Sequence, residues 1–447
     1  MDDWKEEYRR KFISAEDAAA LVKSGDRVAF TSGREAFAIG LSLAARKEEL
    51  KDVHILVPTP TYDFGWYDDG WQDSFDIVVR MVTGTCQEAM DAHRIDFDPS
   101  TVIPFVELAG LAKADVIITE VSTPDENGFC SFGASLWAKR RQVENAKIVI
   151  AEVNENLIRT CGDNYVHISE IGHFVEHISS GIGMSSGSLA GRELKGPDPS
   201  LKAIAANCSK IIKDGDTLQI GVGRATEPLV SLGMLDGKRD LGWHSEATPP
   251  GIISLIRQGV INGKYKTLHQ GKAVVTSIGG SSREEMQWVN NNPIFWLVDV
   301  TYLEDMRIIG AHDNFVAINN ALAIDLTGQV ASETLGTRQM AAAGGQIPFV
   351  FGAWLSNGGR SITVLPSTAK SGTLSRIMPT LPEGTIVTVQ RNCTDYVVSE
   401  YGIAHLKGKT LRQRAEELIA IAHPDFRAGL EEEAKKLFGT RNVSNHL

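Results

Sequence analysis

The fold is decided by a segment that occurs twice, as Lys23-Ser24-Gly25-Asp26-Arg27-Val28 and, 190 residues later, as Lys213-Asp214-Gly215-Asp216-Thr217-Leu218. In each copy a Gly-Asp turn leads into a β-branched run and then a Gly-Arg pair, at 33–34 and 223–224. A helical pattern and an Asp-led strand follow each copy. This repeat predicts two similar lobes that arose by internal duplication. The alternative is that unrelated strands share a short turn motif.

Outward from the repeat, short β-branched runs alternate with helical patterns. Such alternation predicts an α/β fold with open parallel or mixed sheets. In the first half we predict strands at 28–31, 53–58, 77–81, 116–120 and 148–152, and helices at 15–22 and 36–46. In the second half we predict strands at 218–222, 241–243, 273–278, 295–300, 315–326, 362–365 and 386–389.

Residues 187–200 are rich in Gly, Ser and Pro and poor in apolar side chains. This composition predicts a linker, with a surface loop inside one domain as the alternative. We therefore predict an N-terminal lobe at 1–190 and a C-terminal lobe at 201–447.

The overall composition excludes several classes of protein. The 447 residues include 45 Lys and Arg against 56 Asp and Glu, a net charge of −11, which argues against a nucleic-acid partner. There is no apolar run of the length that a membrane span needs, and the charged N-terminus lacks the apolar core of a secretory signal. Five scattered cysteines without a CxxC pair are typical of reduced thiols. We expect a cytoplasmic enzyme.

A glycine turn follows the first strand of the second lobe. It consists of Gly221, Val222, Gly223, Arg224 and Ala225, and we expect a helix after it. Glycines allow backbone N–H groups to approach a phosphate or a carbonyl oxygen. The turn lacks the third glycine of a dinucleotide fingerprint and the Lys-Ser/Thr pair of a P-loop. A tight turn with a purely structural role is the alternative.

Glu246 ends the run Trp243-His244-Ser245-Glu246, which follows a predicted strand. Open α/β sheets bind their ligands at the carboxyl ends of strands. A carboxylate at that position can act as a base or as a nucleophile. Among 56 acidic residues, a solvated surface charge is the alternative.

A second glycine-rich stretch contains Gly344 and Gly345. Its small residues indicate a backbone that passes close to a ligand or to another segment, and its amides can stabilise an oxyanion. A flexible hairpin is the alternative. The run His173-Phe174-Val175-Glu176-His177 resembles a zinc-peptidase motif, but its Gly- and Ser-rich flanks disfavour the long helix that such a metal site needs.

Further short motifs occur in order along the chain. They are PDENG at 124–128, LQIGVG at 218–223, LGWHSE at 241–246, DLTGQV at 325–330, AGGQ at 343–346, LPSTA at 365–369, VVSEYG at 397–402 and IAHPDFR at 421–427. With these motifs the chain resembles the class I coenzyme A transferases, in the acetyl-CoA hydrolase/transferase branch that includes 4-hydroxybutyrate and butyrate–acetate CoA-transferases. The resemblance runs from about residue 14 to about residue 437.

The resemblance implies a ping-pong exchange of CoA between an acyl-CoA and a carboxylic acid, with Glu246 as the covalent nucleophile. It implies that the turn from Gly221 to Ala225 holds part of CoA, with Gly344 and Gly345 beside it as oxyanion donors. It also implies that Asn319 and Glu400 help to place the acid. No metal or permanently bound cofactor is expected, and members of the family generally form homo-oligomers. An acyl-CoA hydrolase that uses the same glutamate and a non-catalytic binding module are the alternatives.

Two departures from the family pattern lie beside the predicted nucleophile. Relatives usually continue the glycine turn with Ile-Pro, where this chain has Arg224-Ala225, and residues 247–251 also differ. Because a guanidinium can hold a carboxylate through two hydrogen bonds, Arg224 is a candidate for tuning the acid partner. Arg34, Arg224 and the aromatic stretch at 66–71 favour a larger acid or one with a second carboxylate. The sequence does not identify that acid.

Overall fold

The computed structural model describes residues 3–99, 114–181, 199–279 and 282–439, and two large sheets form its framework. The first is a seven-stranded sheet in which neighbouring strands are parallel. In spatial order its strands are Asp96–Phe97, Phe75–Val79, Val53–Val57, Arg27–Phe30, Val116–Val121, Ile148–Val153 and His173–Glu176.

The second is an eight-stranded sheet, parallel except for its last pair. In spatial order its strands are Phe295–Leu297, Ala273–Val275, Gly242–Ser245, Thr217–Ile220, Phe315–Asn320, Arg360–Val364, Tyr396–Ser399 and Gly402–His405. In both sheets the strand that follows the repeated turn pairs with the next strand in sequence on one side and with a later strand of the chain on the other. The two sheets therefore have the same strand order around the repeated turn.

Helices and small sheets complete the described chain. The α-helices are Asp3–Arg10, Ala15–Ala20, Phe37–Ala44, Gln87–Asp91, Lys139–Asn145, Pro199–Ile211, Ile252–Arg257, Arg283–Val289, Val300–Leu303, Met306–Gly310, Gln346–Leu355, Leu411–Ala420 and Pro424–Phe438, with 3-10 turns at Ile168–Glu170 and Glu227–Leu229. The small sheets are Val330–Ala331 with Ala323–Asp325 and Ile377–Met378, Thr334–Leu335 with Arg338–Gln339, Thr368–Ala369 with Leu374–Ser375, and Phe129–Ser131 with Tyr165–His167. No helix in the described part of the chain has the length and apolar character of a membrane span.

The repeated turns have the same geometry in both lobes. Gly25 and Gly215 have φ values of 82° and 80°. The aspartate after each glycine accepts a hydrogen bond from the backbone N–H three residues earlier, at 2.7 Å in the first copy and 2.6 Å in the second. A left-handed glycine with an Asp-closed turn fixes the direction of the following strand. The predicted α/β class with two similar lobes related by duplication is confirmed.

One predicted strand is wrong. Residues 386–389 form no strand, and Val389 makes only an isolated bridge to Val330. Ile386 is 52% and Val387 36% exposed, so the first half of this run faces solvent, whereas Val389 is buried in a core. The strand predicted at 315–326 is divided into two strands. The predicted linker lies outside the described residues up to 198, and the division into lobes at 1–190 and 201–447 stays a prediction.

The interior forms separate hydrophobic cores, one of which joins the two lobes. The first core includes the predicted aromatic stretch, where Trp66 is 2% exposed and packs edge-on against Phe30 and Phe64. The joining core includes Phe132 from the first half and Trp243 from the second. The aromatic stretch at 66–71 therefore serves to pack the first lobe.

Backbone hydrogen bonds also cross between the halves. The N–H of Leu136 donates to the carbonyl of Thr276 at 2.8 Å, and the N–H of Ile278 donates to that of Ala134 at 2.7 Å. Ser135 and Ser277 form an antiparallel bridge between these two bonds. A segment of the first lobe therefore lies against the chain that follows strand Ala273–Val275.

Candidate active site

The predicted site residues follow adjacent parallel strands of the second sheet. Glu246 follows Gly242–Ser245, Gly221 follows Thr217–Ile220, and Asn319 lies at the end of Phe315–Asn320. Because these strands are parallel neighbours, their carboxyl ends meet at one edge of the sheet. The fold therefore brings the glycine turn and the candidate nucleophile to the same edge.

Glu246 shares a hydrogen bond with a second carboxyl group, that of Glu304. Glu304 is 2% exposed. Burial raises the pKa of Glu304 well above its ordinary value, and the adjacent charge of Glu246 raises it further. Burial also raises the pKa of Glu246, but hydrogen bonds from Glu304 and from the backbone of Gly345 oppose that shift. Because the charge of Glu246 raises the pKa of Glu304, a proton shared by the pair favours Glu304.

The two residues before Glu246 fix its surroundings. Nε2 of His244 lies 2.9 Å from the carbonyl oxygen of Leu303, which only accepts, so Nε2 carries the proton and donates. Burial lowers the pKa of His244 well below its ordinary value, which keeps the ring neutral. The hydroxyl of Ser245 lies 3.3 Å from the carbonyl and 3.4 Å from the amide of Ile220. His244 therefore anchors the residue before Glu304, and Ser245 ties the strand of Glu246 to the strand of the glycine turn.

The second glycine stretch forms the start of a helix. Gly345 is the N-cap of Gln346–Leu355, and its N–H donates to the carboxylate of Glu246. A Cβ added at Gly345 would overlap Oε2 of Glu246 and would lie 2.7 Å from Cδ. A helix N-terminus stabilises an anion, so this contact favours ionised Glu246. The alternative of a flexible hairpin at this position is wrong.

The glycine turn at 221–225 packs closely against asparagine side chains of the protein itself. A Cβ added at Gly221 would overlap Oδ1 of Asn319, and one added at Gly223 would overlap Oδ1 of Asn320. These glycines therefore allow two asparagine side chains to pack against the turn. The predicted helix after the turn is wrong, because Pro228 lies in a 3-10 turn, Glu227–Leu229.

The remaining turn residues differ in exposure. Ala225 is 7% exposed and packs in the joining core, whereas Arg224 is exposed. Arg224 lies close enough to Arg376 for its charge to lower the pKa of that guanidinium, after burial as the main cause. Glu400 opposes the shift, so all three charged groups share one region.

The two residues predicted to place the acid have partners within the protein. Asn319 and Gln219 exchange two amide hydrogen bonds, of 3.1 and 3.2 Å. The carboxylate of Glu400 accepts from the backbone N–H of Ser367 at 2.9 Å and from its hydroxyl at 2.6 Å. Their contact with an acid stays a prediction, as do the roles of the other predicted site residues.

Sequence reasoning missed Glu304. It follows the helix Val300–Leu303 and precedes Asp305, which caps the next helix. Nothing in the local pattern distinguishes it from its neighbouring acids, because its partner Glu246 is 58 residues away. Only the order of the sheet relates the two residues. The strand that precedes Glu304 in sequence, Phe295–Leu297, is the second neighbour of the strand that precedes Glu246.

The zinc-like run lies on a β-strand, His173–Glu176, and not on a helix. His177 instead places Nδ1 2.6 Å from Oε1 of buried Glu152. Among the described residues no cluster of His, Cys, Asp or Glu has the arrangement of a metal site.

Family models match both parts of the chain. The N-terminal domain model of acetyl-CoA hydrolase/transferase matches residues 1–182, and the C-terminal domain model matches residues 281–434. The second match includes Glu304 and Gly345, and residue 246 lies between the two matches.

Similar proteins cover nearly the whole chain. The 4-hydroxybutyrate coenzyme A transferase of Clostridium kluyveri is 40% identical over 98% of this chain and 100% of its own. The succinyl-CoA:cyclohexane-1-carboxylate CoA transferase of Geobacter metallireducens is 36% identical over 97% of each. The crystal structure of RipA from Yersinia pestis has a TM-score of 0.87 at 31% identity and covers 98% of this chain and 100% of that one. The chain belongs to the acetyl-CoA hydrolase/transferase family.

Proposed function

We propose that the chain is a CoA-transferase that moves CoA between an acyl-CoA and a free carboxylic acid through a glutamyl-CoA thioester on Glu246. The observation that carries this proposal is the contact of the Glu246 carboxyl group with the carboxyl group of Glu304 and with the backbone amide of Gly345. A carboxylate is a weak nucleophile, so a covalent role needs fixed geometry and help from the binding energy of a large substrate. The relatives that are 34–40% identical carry transferase names.

In the first step Glu246 attacks the thioester carbonyl carbon. The carbon–sulfur bond breaks, CoA leaves as a thiolate, and a mixed anhydride joins the acyl group to the glutamate. The thiolate then attacks Cδ of Glu246, and the acyl group leaves as a free carboxylate. One negative charge enters and one leaves, so neither step needs a proton acceptor. Neutral His244, which donates to Leu303, suits a reaction without a general base.

The second attack places negative charge on an oxygen of Glu246 itself. The amide of Gly345 already donates to this carboxylate, and the carboxyl group of Glu304 donates its proton to the same carboxylate. Donors that face the position where charge develops lower the barrier without reorganisation. We assign Gly345 as the main oxyanion donor of this step. Gly344, with φ 54°, gives the chain the left-handed turn that precedes it.

In this proposal the turn comprising Gly221, Val222 and Gly223 approaches CoA, with Arg224 at its exposed end and Ala225 supporting it from the core. Asn319 and Glu400 belong to the region that places the acid. No metal is required, because the carboxylate itself is the nucleophile. A cytoplasmic homo-oligomer, as expected from the family resemblance, completes the proposal.

Hydrolysis through the same glutamyl thioester is the second candidate. An acetyl-CoA hydrolase of Yarrowia lipolytica is 24% identical to this chain, well below the transferases. Water must lose a proton as it attacks, but Glu304 holds a proton and His244 donates its own to Leu303. These two groups are therefore poor bases for water, which favours transfer.

The test counts CoA and acyl-CoA products with and without an added carboxylic acid. We expect new acyl-CoA to form in proportion to the acid, with release of free CoA at least about tenfold slower in its absence. A panel of short-chain, dicarboxylic and aromatic acids would identify the acceptor. Release of CoA at the same rate with and without every acid would show hydrolysis instead.

Replacement of Glu304 tests the shared proton. Glu304→Gln keeps a neutral hydrogen-bond donor beside Glu246, so we expect activity within about tenfold of wild type at neutral pH. Glu304→Ala removes the donor, and because a hydrogen bond to a charged group contributes about 1.5–3 kcal/mol, we expect a loss of about 10- to 100-fold. Since the pKa of Glu304 is raised, the protonated pair is present at low pH and is lost as pH rises through that pKa. The glutamine variant should therefore lack the alkaline decline of the wild type.

The measurement is the pH profile of kcat/KM for acyl-CoA in the wild type and both variants. Glu284→Gln is the matched control, because Glu284 is an exposed residue paired with Arg257. A glutamine variant as inactive as the alanine variant, or one with an unchanged alkaline decline, would contradict the shared-proton assignment.

A further inference from the structure

A small cavity lies on the first-lobe side of the contact between the two halves. Its lining includes Arg34, Glu120, Ser135 and Lys139, which supply all of its charged and hydroxyl groups. Its volume is about 20 Å³, which is room for one or two water-sized groups. A carboxylate has two oxygens of this size, so the cavity suits a small polar end of a ligand.

Lys139 is a buried cation of this cavity. It is 3% exposed, and its ammonium has no hydrogen bond or ion pair with any residue that the structure describes. Nζ of Lys139 lies 5.9 Å from the centre of the Phe132 ring. Burial is the main cause that lowers the pKa of Lys139 to about 8; the charge of Glu120 opposes this shift, and the charge of Arg34 adds to it. An unpaired buried ammonium is costly for a fold to keep, which points to a ligand of opposite charge.

The hydroxyl of Ser135 is a second buried group in this cavity. Its Oγ has no hydrogen-bond partner among the described residues. It lies 2.9 Å from the position that a Cβ on Gly33 would take, and the same position is 3.7 Å from Nζ of Lys139. The hydroxyl and the ammonium therefore both lie beside Gly33, and the absence of a side chain there leaves them accessible from the cavity.

Glu120, the acidic residue of the cavity, has polar partners outside the cavity lining. Oε1 of Glu120 accepts a hydrogen bond from Asn154 at 2.8 Å and lies 3.6 Å from Nδ1 of His177. An ion-pair contact to His177 offsets part of the charge of Glu120. Among the described residues, Glu120 therefore compensates the charge of Lys139 only from a distance, without an ion pair.

The cavity adjoins the predicted nucleophile through the backbone. Ser135 forms the antiparallel bridge with Ser277, and the N–H of Ser277 donates to the carbonyl oxygen of Glu246 at 2.8 Å. One wall of the cavity is thus one bridge and one hydrogen bond away from Glu246.

We propose that this cavity is the subsite for a second carboxylate of the acid substrate, bound by Lys139 and Ser135. The preferred acids are then short dicarboxylates, with one carboxyl group at Glu246 and the other in the cavity. The inference rests on the proposed CoA transfer and adds its substrate class. The ammonium supplies a charge-assisted hydrogen bond, which a neutral chain end cannot match.

The test compares succinate with butyrate, which have equal chain length but differ in the terminal group, and includes 4-hydroxybutyrate as a neutral hydrogen-bonding end. We expect the wild type to use succinate at least about tenfold better than either of the other acids, judged by kcat/KM. Lys139→Met keeps the length of the side chain and removes its charge. We expect it to lower the succinate-to-butyrate ratio by about 10- to 100-fold.

Lys147→Met is the matched control, because Lys147 follows the same helix but is exposed and paired with Asp115. We expect this control to leave the ratio unchanged. If Lys139→Met does not fold, Ser135→Ala removes only one hydroxyl and should lower the ratio about three- to tenfold.

Three results would overturn the subsite while leaving CoA transfer intact. They are a wild type that prefers butyrate or 4-hydroxybutyrate, an equal loss for all acids in the folded variants, and an unchanged ratio in both variants. Failure of the proposed function is a separate result, in which the wild type transfers CoA to none of the three acids.

Discussion

Glu246→Ala is expected to abolish CoA transfer, with a fall in kcat of about four orders of magnitude or more, as is typical when a covalent nucleophile is removed. Wild-type enzyme incubated with acyl-CoA and no acceptor should gain the mass of CoA less one water. Peptide mapping should place this adduct on the segment that contains Glu246. Borohydride should reduce the thioester and inactivate the enzyme, because a free carboxylate resists that reagent.

The variants separate nucleophilicity from binding. Glu246→Ala should still bind acyl-CoA, since the distant contacts to CoA are unchanged. Glu246→Asp should be nearly as inactive, because loss of one methylene withdraws the carboxylate from Glu304 and Gly345 by about 1 Å. Glu284→Ala, at an exposed site, should behave as the wild type. An adduct on another glutamate, such as Glu400, would contradict the assignment of Glu246 as the nucleophile but not the class of enzyme. Exchange of CoA without any adduct would contradict the covalent mechanism.

The parts of the fold that could be predicted from the sequence are those written in local patterns. The repeated turns are local, because Gly25 and Gly215 and the aspartates after them close each turn within four residues. Glu246 could be proposed as the nucleophile because it follows the end of a strand, and strand ends of parallel sheets meet at one edge. The repeat and the motif order together were enough for the α/β class and the family.

The parts that could not be predicted depend on contacts between distant segments. Glu304 lies beside Glu246 because the strand that precedes it in sequence, Phe295–Leu297, is separated from the strand before Glu246 by a single strand, Ala273–Val275. Lys139 acquires its buried environment from segments that are distant in sequence, such as those of Gly33 and Glu120. The local sequence does not show which acidic residue or which lysine will be buried in the fold. The same limit explains the wrong strand at 386–389, where apolar residues face solvent.

The two glycine motifs show that a close backbone contact can have more than one cause. The sequence indicated that backbone N–H groups at Gly221 and Gly223 approach a ligand, but these glycines also make room for Asn319 and Asn320. At Gly345 the close contact is with the nucleophile itself. A tight fit against the reacting group makes a stronger argument for catalysis than glycine content does, and it predicts a large effect for a single added methyl group.

Gly345→Ala is expected to lower kcat by about 100- to 1,000-fold, the range seen when an oxyanion donor is lost. The added Cβ would overlap Oε2 of Glu246 and lie 2.9 Å from Oε1 of Glu304, so both carboxyl groups must move. Because Gly345 has φ −77°, alanine strains no backbone angle there, and the loss comes from the displaced carboxylate.

Gly429→Ala is the matched control, since Gly429 lies in the helix Pro424–Phe438 with open space around its Cα. It should leave kcat unchanged and stabilise the fold slightly, by up to about 1 kcal/mol. Single-turnover formation of the CoA adduct is the measurement that locates the defect. We expect Gly345→Ala to bind acyl-CoA with an affinity close to that of the wild type but to form the adduct about as slowly as it turns over, because the displaced carboxylate limits the covalent step. A variant that forms the adduct at the wild-type rate would show that Gly345 neither positions Glu246 nor stabilises its oxyanion.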